Sequence, residues 1–452
     1  MIRIYITCIA LFMLFIHYPL SAQQKLSELE PVSLQQDFAF FRDALQQEHA
    51  GLYRYKSKTV LDNLFDSCFS ELNHPMSQFE FAKSIMFVVS AIEDGHTGTN
   101  IPRLLMGHYS EKEKMFPAYI YFIDKNAYVL CSRINELSAG MEILSIDNNP
   151  AGEIREKLFQ YLPSDGRIET KKQQTLNNGA FPFLYNWIFG NRDSFMVKYR
   201  TIDGEIGTTV IGAEFVKDFE CDKKCEPNAT RDLQLDLLPG NIALLTIRTF
   251  DDNRLSGKYN FHDFLNASFN EIGLRKIHKL IIDLRGNAGG TDAYGPLLYS
   301  YLAKKPFKYF SSIESTKNKV SLKENALLGM QQPQKNSFNG KVFFLINGLS
   351  FSTTADFSSI AKSDNRGTFI GEETGGGYYG NTSGETIKVE LPNSKINIII
   401  PKFKYINDVK ASAYKDRGVI PDHIISPTIG QILLCKDVQL VKAIDMASGK
   451  VR

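Results

Sequence analysis

The sequence predicts an α/β protein whose second half builds a largely parallel sheet, and three observations carry that expectation. From about Gly240 apolar strand-like runs alternate with helical segments: "NIALLTIRTF", a helix through Leu265 to Ile272, "KLIIDLRGN", a helix from Tyr294 to Leu302, "KVFFLIN", a helix from Thr354 to Lys362, then "GTFIGEE". Parallel strands need crossover helices, so this alternation reads as βαβ units. The first half is of different character, helical and then rich in short strands. Finally, two of the apolar strands run into loops dense in Gly and hydroxyl residues, at the sheet edge where open α/β folds usually bind ligands.

The elements follow in order. Residues 1–22 read as a signal peptide: Arg3, an apolar stretch, then Ser21 and Ala22 before Gln23. The apolar run is shorter than the ~20 residues of a membrane span and is broken by His17 and Pro19. An exported protein, periplasmic or extracellular, with no stable membrane insertion after cleavage is expected. Residues 23–109 form a helical N-terminal domain, since "LQQDFAFFRDALQQEHAGLY" and "QFEFAKSIMFVVSAIEDGH" repeat apolar residues at three- and four-residue spacing. Residues 110–215 form a β-rich module, with a tight turn at Asn148-Asn149-Pro150 and a short helix after it. Its segment Ala139 to Leu158 resembles the pocket-forming part of a PDZ domain, although the usual Gly-Leu-Gly-Phe-type loop is absent. Residues 216–452 carry the α/β layer, with 316–340 as an exposed insertion.

Composition narrows the function. With 52 basic and 50 acidic residues and no long run of one sign, nothing indicates a nucleic-acid partner. Cleavage would remove Cys8; Cys221 and Cys225, in "CDKKC", are expected to close a small disulfide loop, because a zinc site would want a second pair at similar spacing. No metal and no cofactor are expected.

Chemistry concentrates in three stretches. In "FFLINGLSFSTTADF" (343–357) a buried strand opens into hydroxyls; Thr353 and Asp356 fit a helix capping box, the bland reading, while a serine at a strand end that opens a helix is the other. In "DLRGNAGGTD" (283–292) three glycines let backbone N–H groups approach a substrate oxygen, or simply make a turn. The spacing is wrong for a dinucleotide fingerprint, and a phosphate loop's Lys-Ser/Thr ending is missing. In "AIEDGHTGTN", His96 lies in a Gly-rich turn beside Asp94 and Thr97.

Together, Asp-x-His-Thr, then Asp-Leu-Arg-Gly-Asn-x-Gly-Gly, then Asn-Gly-x-Ser-x-Ser resemble the C-terminal-processing and tricorn-core family of serine peptidases, strongest over residues 240 to 424. The resemblance implies a ClpP/crotonase-like α/β catalytic domain. It implies Ser352 as nucleophile, with Ser350 the lesser candidate. The branch that uses lysine as base places it where this chain has Gly377, and no lysine occurs between Lys362 and Lys388. The histidine-using, tricorn-like branch therefore fits, with His96 as base and Asp416, in "YKDRGVIPDH", as orienting acid. Oxyanion donors would be the N–H of Thr353 and one from the Gly286 to Gly290 turn, Gly289 first and Gly290 beside it. The implied activity is hydrolysis of peptides or unfolded protein tails. The other reading is an inactive scaffold that binds an apolar ligand or peptide. An ordinary histidine base would put the acid limb of activity at an apparent pKa of about 6 to 7.

Overall fold

The computed structural model describes residues 28–219, 231–255 and 260–450. Residues 1–22, expected as a signal peptide, and Cys221 and Cys225, expected to pair, lie outside the described residues. Cys131 and Cys435 are each disulfide-bonded, which no spacing signalled, and Cys68 is a buried free thiol. Among the described residues no helix is long and apolar enough to cross a membrane.

The N-terminal helices Pro31–Glu48, Lys58–Ser70 and Gln78–Ala91 bury Phe38, Phe41, Phe65, Phe81 and Ile85 on their facing sides. Ser77 and Glu80 form a reciprocal capping box that fixes where the third helix starts. These helices do not close their core alone. Leu391, Ile396, Ile398 and Ile400 complete it, from the strand Asn397–Asn407 and the turn before it. The strand Asn397–Asn407 also pairs with Gly98–Thr99, which follows the turn that carries His96.

The middle of the chain forms an antiparallel sheet from Ala118–Ile123, Asn126–Ser132, Glu142–Ile146, Ser194–Arg200 and Ile206–Gly212, with Asn149–Pro150 paired at Glu142–Ile146. Its turn is Asp147-Asn148, both at positive φ (49° and 65°), a conformation that Asp and Asn tolerate best among residues with a side chain. The face is filled by aromatic rings, with Phe116, Phe122, Phe181, Tyr185 and Phe195 in mutual contact.

The α/β layer is a six-stranded sheet in the order 423–424, 368–371, 341–346, 279–283, 242–247, 233–238. All neighbours are parallel except the edge strand Leu233–Leu238, which pairs antiparallel with Ile242–Ile247. The strand Ile242–Ile247 is buried at every position, as expected where both faces are covered. Helices Phe261–Leu274, Tyr294–Ser300 and Thr353–Ser363 contribute Leu265, Leu298 and Phe357 to the core on one face; Leu440, Ala443 and Ala447 of Val438–Ala447 cover the other. The insertion 316–340 is mostly exposed but not free: Met330–Gln331 pairs with Phe307–Lys308, and Phe338 is buried in the core. Adjacent strands Lys279–Asp283 and Lys341–Ile346 deliver the two Gly- and Ser-rich loops side by side.

Candidate active site

Between those loops Asn287, fully buried, is the tie. Its side-chain N–H donates to the Ile247 carbonyl, its Oδ1 accepts from Gly289 N–H at 2.9 Å, and its carbonyl accepts from Phe351 N–H at 3.1 Å. A Cβ on Gly289 would lie 2.7 Å from Ser352 Cβ, and one on Gly290 would lie 2.1 Å from the Phe250 carbonyl carbon. Only glycine lets these chains pass, and both positions have positive φ, 96° and 146°.

Ser352 sits at the N-cap position of Thr353–Ser363 but makes no capping bond. Its φ of 55° and ψ of −129° lie outside the extended region a capping residue uses, so its hydroxyl is turned away from the helix N–H groups. Holding a non-glycine residue there costs about 1–3 kcal/mol. The expected capping box fails as well: Thr353 Oγ1 donates to the Gly290 carbonyl, and Asp356 accepts from Asn381 Nδ2 at 2.7 Å. Ser350 is buried and committed, donating to the Leu284 carbonyl at 2.9 Å and accepting from Asn347 N–H at 3.1 Å. Of the two serines, Ser352 alone is turned towards a histidine.

His96 Nε2 lies 3.0 Å from Ser352 Oγ, across 256 positions of sequence. The turn is built on Asp94, whose Oδ1 accepts from the N–H groups of His96 (2.9 Å) and Thr97 (2.8 Å) and from the Thr97 hydroxyl (3.1 Å). Behind it, His49 Nδ1 accepts from Gly51 N–H, so its Nε2 carries the proton and donates to Thr97 Oγ1 at 2.7 Å. The His96 ring stacks on Phe351 with centroids 4.4 Å apart.

Burial lowers the His96 pKa to about 4; the Asp94 charge opposes that shift, and the nearby cations Lys171 and Arg54 add to it. Burial works against ionisation of Asp94 too, but His49, His96 and the hydrogen bonds outweigh it and keep its carboxyl below the ordinary range.

The remaining candidates fall unevenly. The Asp416 side chain is not brought to His96: it pairs with Arg167, with one N–O separation of 3.2 Å. Spacing from the Gly-Val-Ile-Pro-Asp motif pointed to it, but the local chain turns it outward. Asp165 stands much nearer, accepting from Gly95 N–H at 2.7 Å and from Gly377 N–H at 3.0 Å. Burial, and the neighbouring Asp94, raise its pKa to about 6. Gly377, where the other branch has lysine, packs against Tyr55: a Cβ there would be 2.7 Å from its hydroxyl. Sequence reasoning missed Asp165 and also Lys171, since "SDG" and "TKKQ" carry no motif.

Of the oxyanion candidates, Thr353 N–H and Gly290 N–H have no partner among the described residues, whereas Gly289 N–H is committed to Asn287. One ring nitrogen of His96 and one oxygen each of Asp94 and Asp165 lie within 4.8 Å of one another, close enough to suggest a metal site. Both Asp165 oxygens and one of Asp94 are already occupied by backbone N–H groups, which suits them to holding loops rather than an ion.

A hydroxyl set against an imidazole at the carboxyl edge of a parallel sheet is the arrangement of serine hydrolases, which is recognised by geometry rather than by sequence order. Residues 241–425 match the model of Peptidase family S41. Among solved structures, mature CPAF superposes with a TM-score of 0.65 at 13% identity, over 92% of this chain and 97% of that one. Mature CPAF complexed with lactacystin gives 0.65 at 12%, over 93% and 98%. At such identity the structures establish a shared fold. Residues 241–425 thus carry a peptidase family S41 domain, and the protein is a serine-type peptidase.

Proposed function

We propose that this chain is an exported peptidase that cleaves peptides or unfolded protein tails through an acyl-enzyme on Ser352, with His96 as general base. The observation that carries the reading is the 3.0 Å contact between His96 Nε2 and a Ser352 hydroxyl free of capping duty. The same contact favours an enzyme over a silent scaffold. Ser352 Oγ attacks the scissile carbonyl while Nε2 takes its proton, which later goes to the leaving amine; water then repeats the sequence on the ester. Charge on the tetrahedral oxygen falls to the N–H groups of Thr353 and Gly290, at the positive end of the helix Thr353–Ser363.

For Nε2 to accept from the serine, the neutral imidazole must carry its proton on Nδ1. That nitrogen is buried with no partner among the described residues. Asp94 therefore stabilises the imidazolium by charge, at a distance, and fixes the ring through the backbone. Asp94→Asn should lower kcat/KM by about 10- to 100-fold, and Asp416→Asn by less than about threefold, because an exposed ion pair contributes little. Steady-state kinetics on the two variants checks both; a reversed order would restore Asp416 as the orienting acid.

The base works only when neutral, and its pKa is lowered to about 4. The acid limb of kcat/KM should therefore fall near pH 4, not at the about 6 to 7 of an ordinary histidine. A profile on a fluorogenic peptide tests this, and the same assay tests the function: hydrolysis should occur and be stopped by a fluorophosphonate. Absence of turnover on unstructured peptides, with no fluorophosphonate reaction, would leave the scaffold reading in its place.

A further inference from the structure

We infer that Lys171 is a positioning residue of this site, clamping the His96 turn through the Gly95 carbonyl and supporting the Phe351 ring on which His96 stacks. The inference rests on the Ser352–His96 reading. Lys171 Nζ donates to the Gly95 carbonyl at 2.9 Å and lies 3.4 Å from the centroid of Phe351, whose ring lies 4.4 Å from that of His96. A cation this close to an aromatic face is held by the ring quadrupole. Phe351 immediately precedes Ser352, and Gly95 immediately precedes His96, so one ammonium touches the neighbour of each reacting residue.

The lysine's own segment is fixed from both sides. Thr170 Oγ1 donates to the Glu373 carbonyl, and a Cβ on Gly348 would lie 2.2 Å from the Thr170 carbonyl oxygen. Upstream, Gly166 N–H donates to the Glu93 carbonyl, and Asp165 accepts from Gly95 N–H. The Gly95 peptide group is therefore gripped at its N–H by Asp165 and at its carbonyl by Lys171. Asp165 lies in the stretch that joins the helix Ala151–Phe159 to the helix Glu169–Thr175, and Lys171 lies in the first turn of the latter.

Charge is the second part of the role. The groups acting on His96 are Asp94, Lys171, Arg54 and His49, and those acting on Lys171 are Asp165, Asp94 and Lys172; Glu93 is paired with Lys56 at 2.8 Å. An ammonium beside the ring opposes a second positive charge on His96 and so keeps the base neutral. Removing that charge should raise the pH at which the base is lost. A purely structural lysine would lower the rate without moving that limb.

The test is the rate of fluorophosphonate labelling at Ser352 as a function of pH, in the full chain and three variants. Lys171→Met and Lys171→Gln should each move the acid limb upward by about one pH unit. The Gln variant keeps a donor for the Gly95 carbonyl, so it reads the charge even if Met disturbs the fold. Lys171→Arg, which keeps the charge, should leave the limb within about 0.3 unit of wild type. Wild-type labelling with unmoved limbs in both neutral variants would overturn the role of Lys171 and leave the Ser352–His96 pair standing. Wild-type protein that is not labelled at Ser352 would remove both.

Discussion

Ser352→Ala should abolish peptide hydrolysis, with kcat/KM falling by at least about 10⁴-fold, while the protein remains folded. The hydroxyl makes no capping bond, and its residue sits at a φ of 55°. Alanine removes the nucleophile without removing a support of the helix, so thermal stability should change little. Ser350→Ala gives the opposite pattern. Its hydroxyl bridges the Leu284 carbonyl and the Asn347 N–H inside the core, so its loss should lower stability by about 1–3 kcal/mol and leave chemistry in place if the protein folds. Comparing turnover with thermal unfolding in the two variants separates the roles. Full activity in Ser352→Ala would dismiss it as the nucleophile.

His96→Ala should cost about 10³- to 10⁴-fold in kcat, because without a base the hydroxyl keeps its proton at the moment of attack. The turn should survive, since Asp94 holds it through backbone N–H groups and the Thr97 side chain rather than through the imidazole. Phe351 loses its stacking partner but keeps the Lys171 ammonium. The residual rate should then lack an acid limb near pH 4. A variant with near-normal turnover would mean that another group is the base, and Lys171, the cation nearest the site, would be the first to examine.

The parallel sheet and the two loops at its edge were legible because each signal is local: a continuous apolar strand, a glycine cluster, a hydroxyl cluster. His96 was singled out by the resemblance of its Asp-x-His-Thr turn to the family's motif, and Asp94 and Thr97 fix that turn in the structure. What stayed hidden depends on distant chain. Asp165 and Lys171 meet Gly95 across 70 and 76 positions, through backbone contacts that leave no side-chain pattern. The shared core of the N-terminal helices and Ile398 and Ile400 hid for the same reason, since either part alone reads as an ordinary amphipathic segment. Spacing pointed to Asp416, whose side chain pairs with Arg167, and to Gly289, whose N–H is bonded to Asn287. Motif alignment gives the position of a residue, not the direction of its side chain or N–H. The capping-box reading of Thr353 and Asp356 erred differently: it assumed an extended residue before the helix, whereas Ser352 occupies the left-handed side of backbone space.

Segment 164–171 also bears on how the molecule can be dissected. Excision of residues 110–215 would remove Asp165 and Lys171 along with the antiparallel sheet, so a deletion of that extent would dismantle the His96 turn. Point substitutions on the sheet are the informative route.

The most direct measurement of the central claim is site-mapped covalent labelling. The intact protein is treated with a fluorophosphonate at neutral pH, digested, and the adduct located by tandem mass spectrometry. The account predicts a single adduct on Ser352, lost in Ser352→Ala, retained in Ser350→Ala and strongly slowed in His96→Ala. An adduct on another residue, or undiminished labelling of Ser352→Ala, would contradict it.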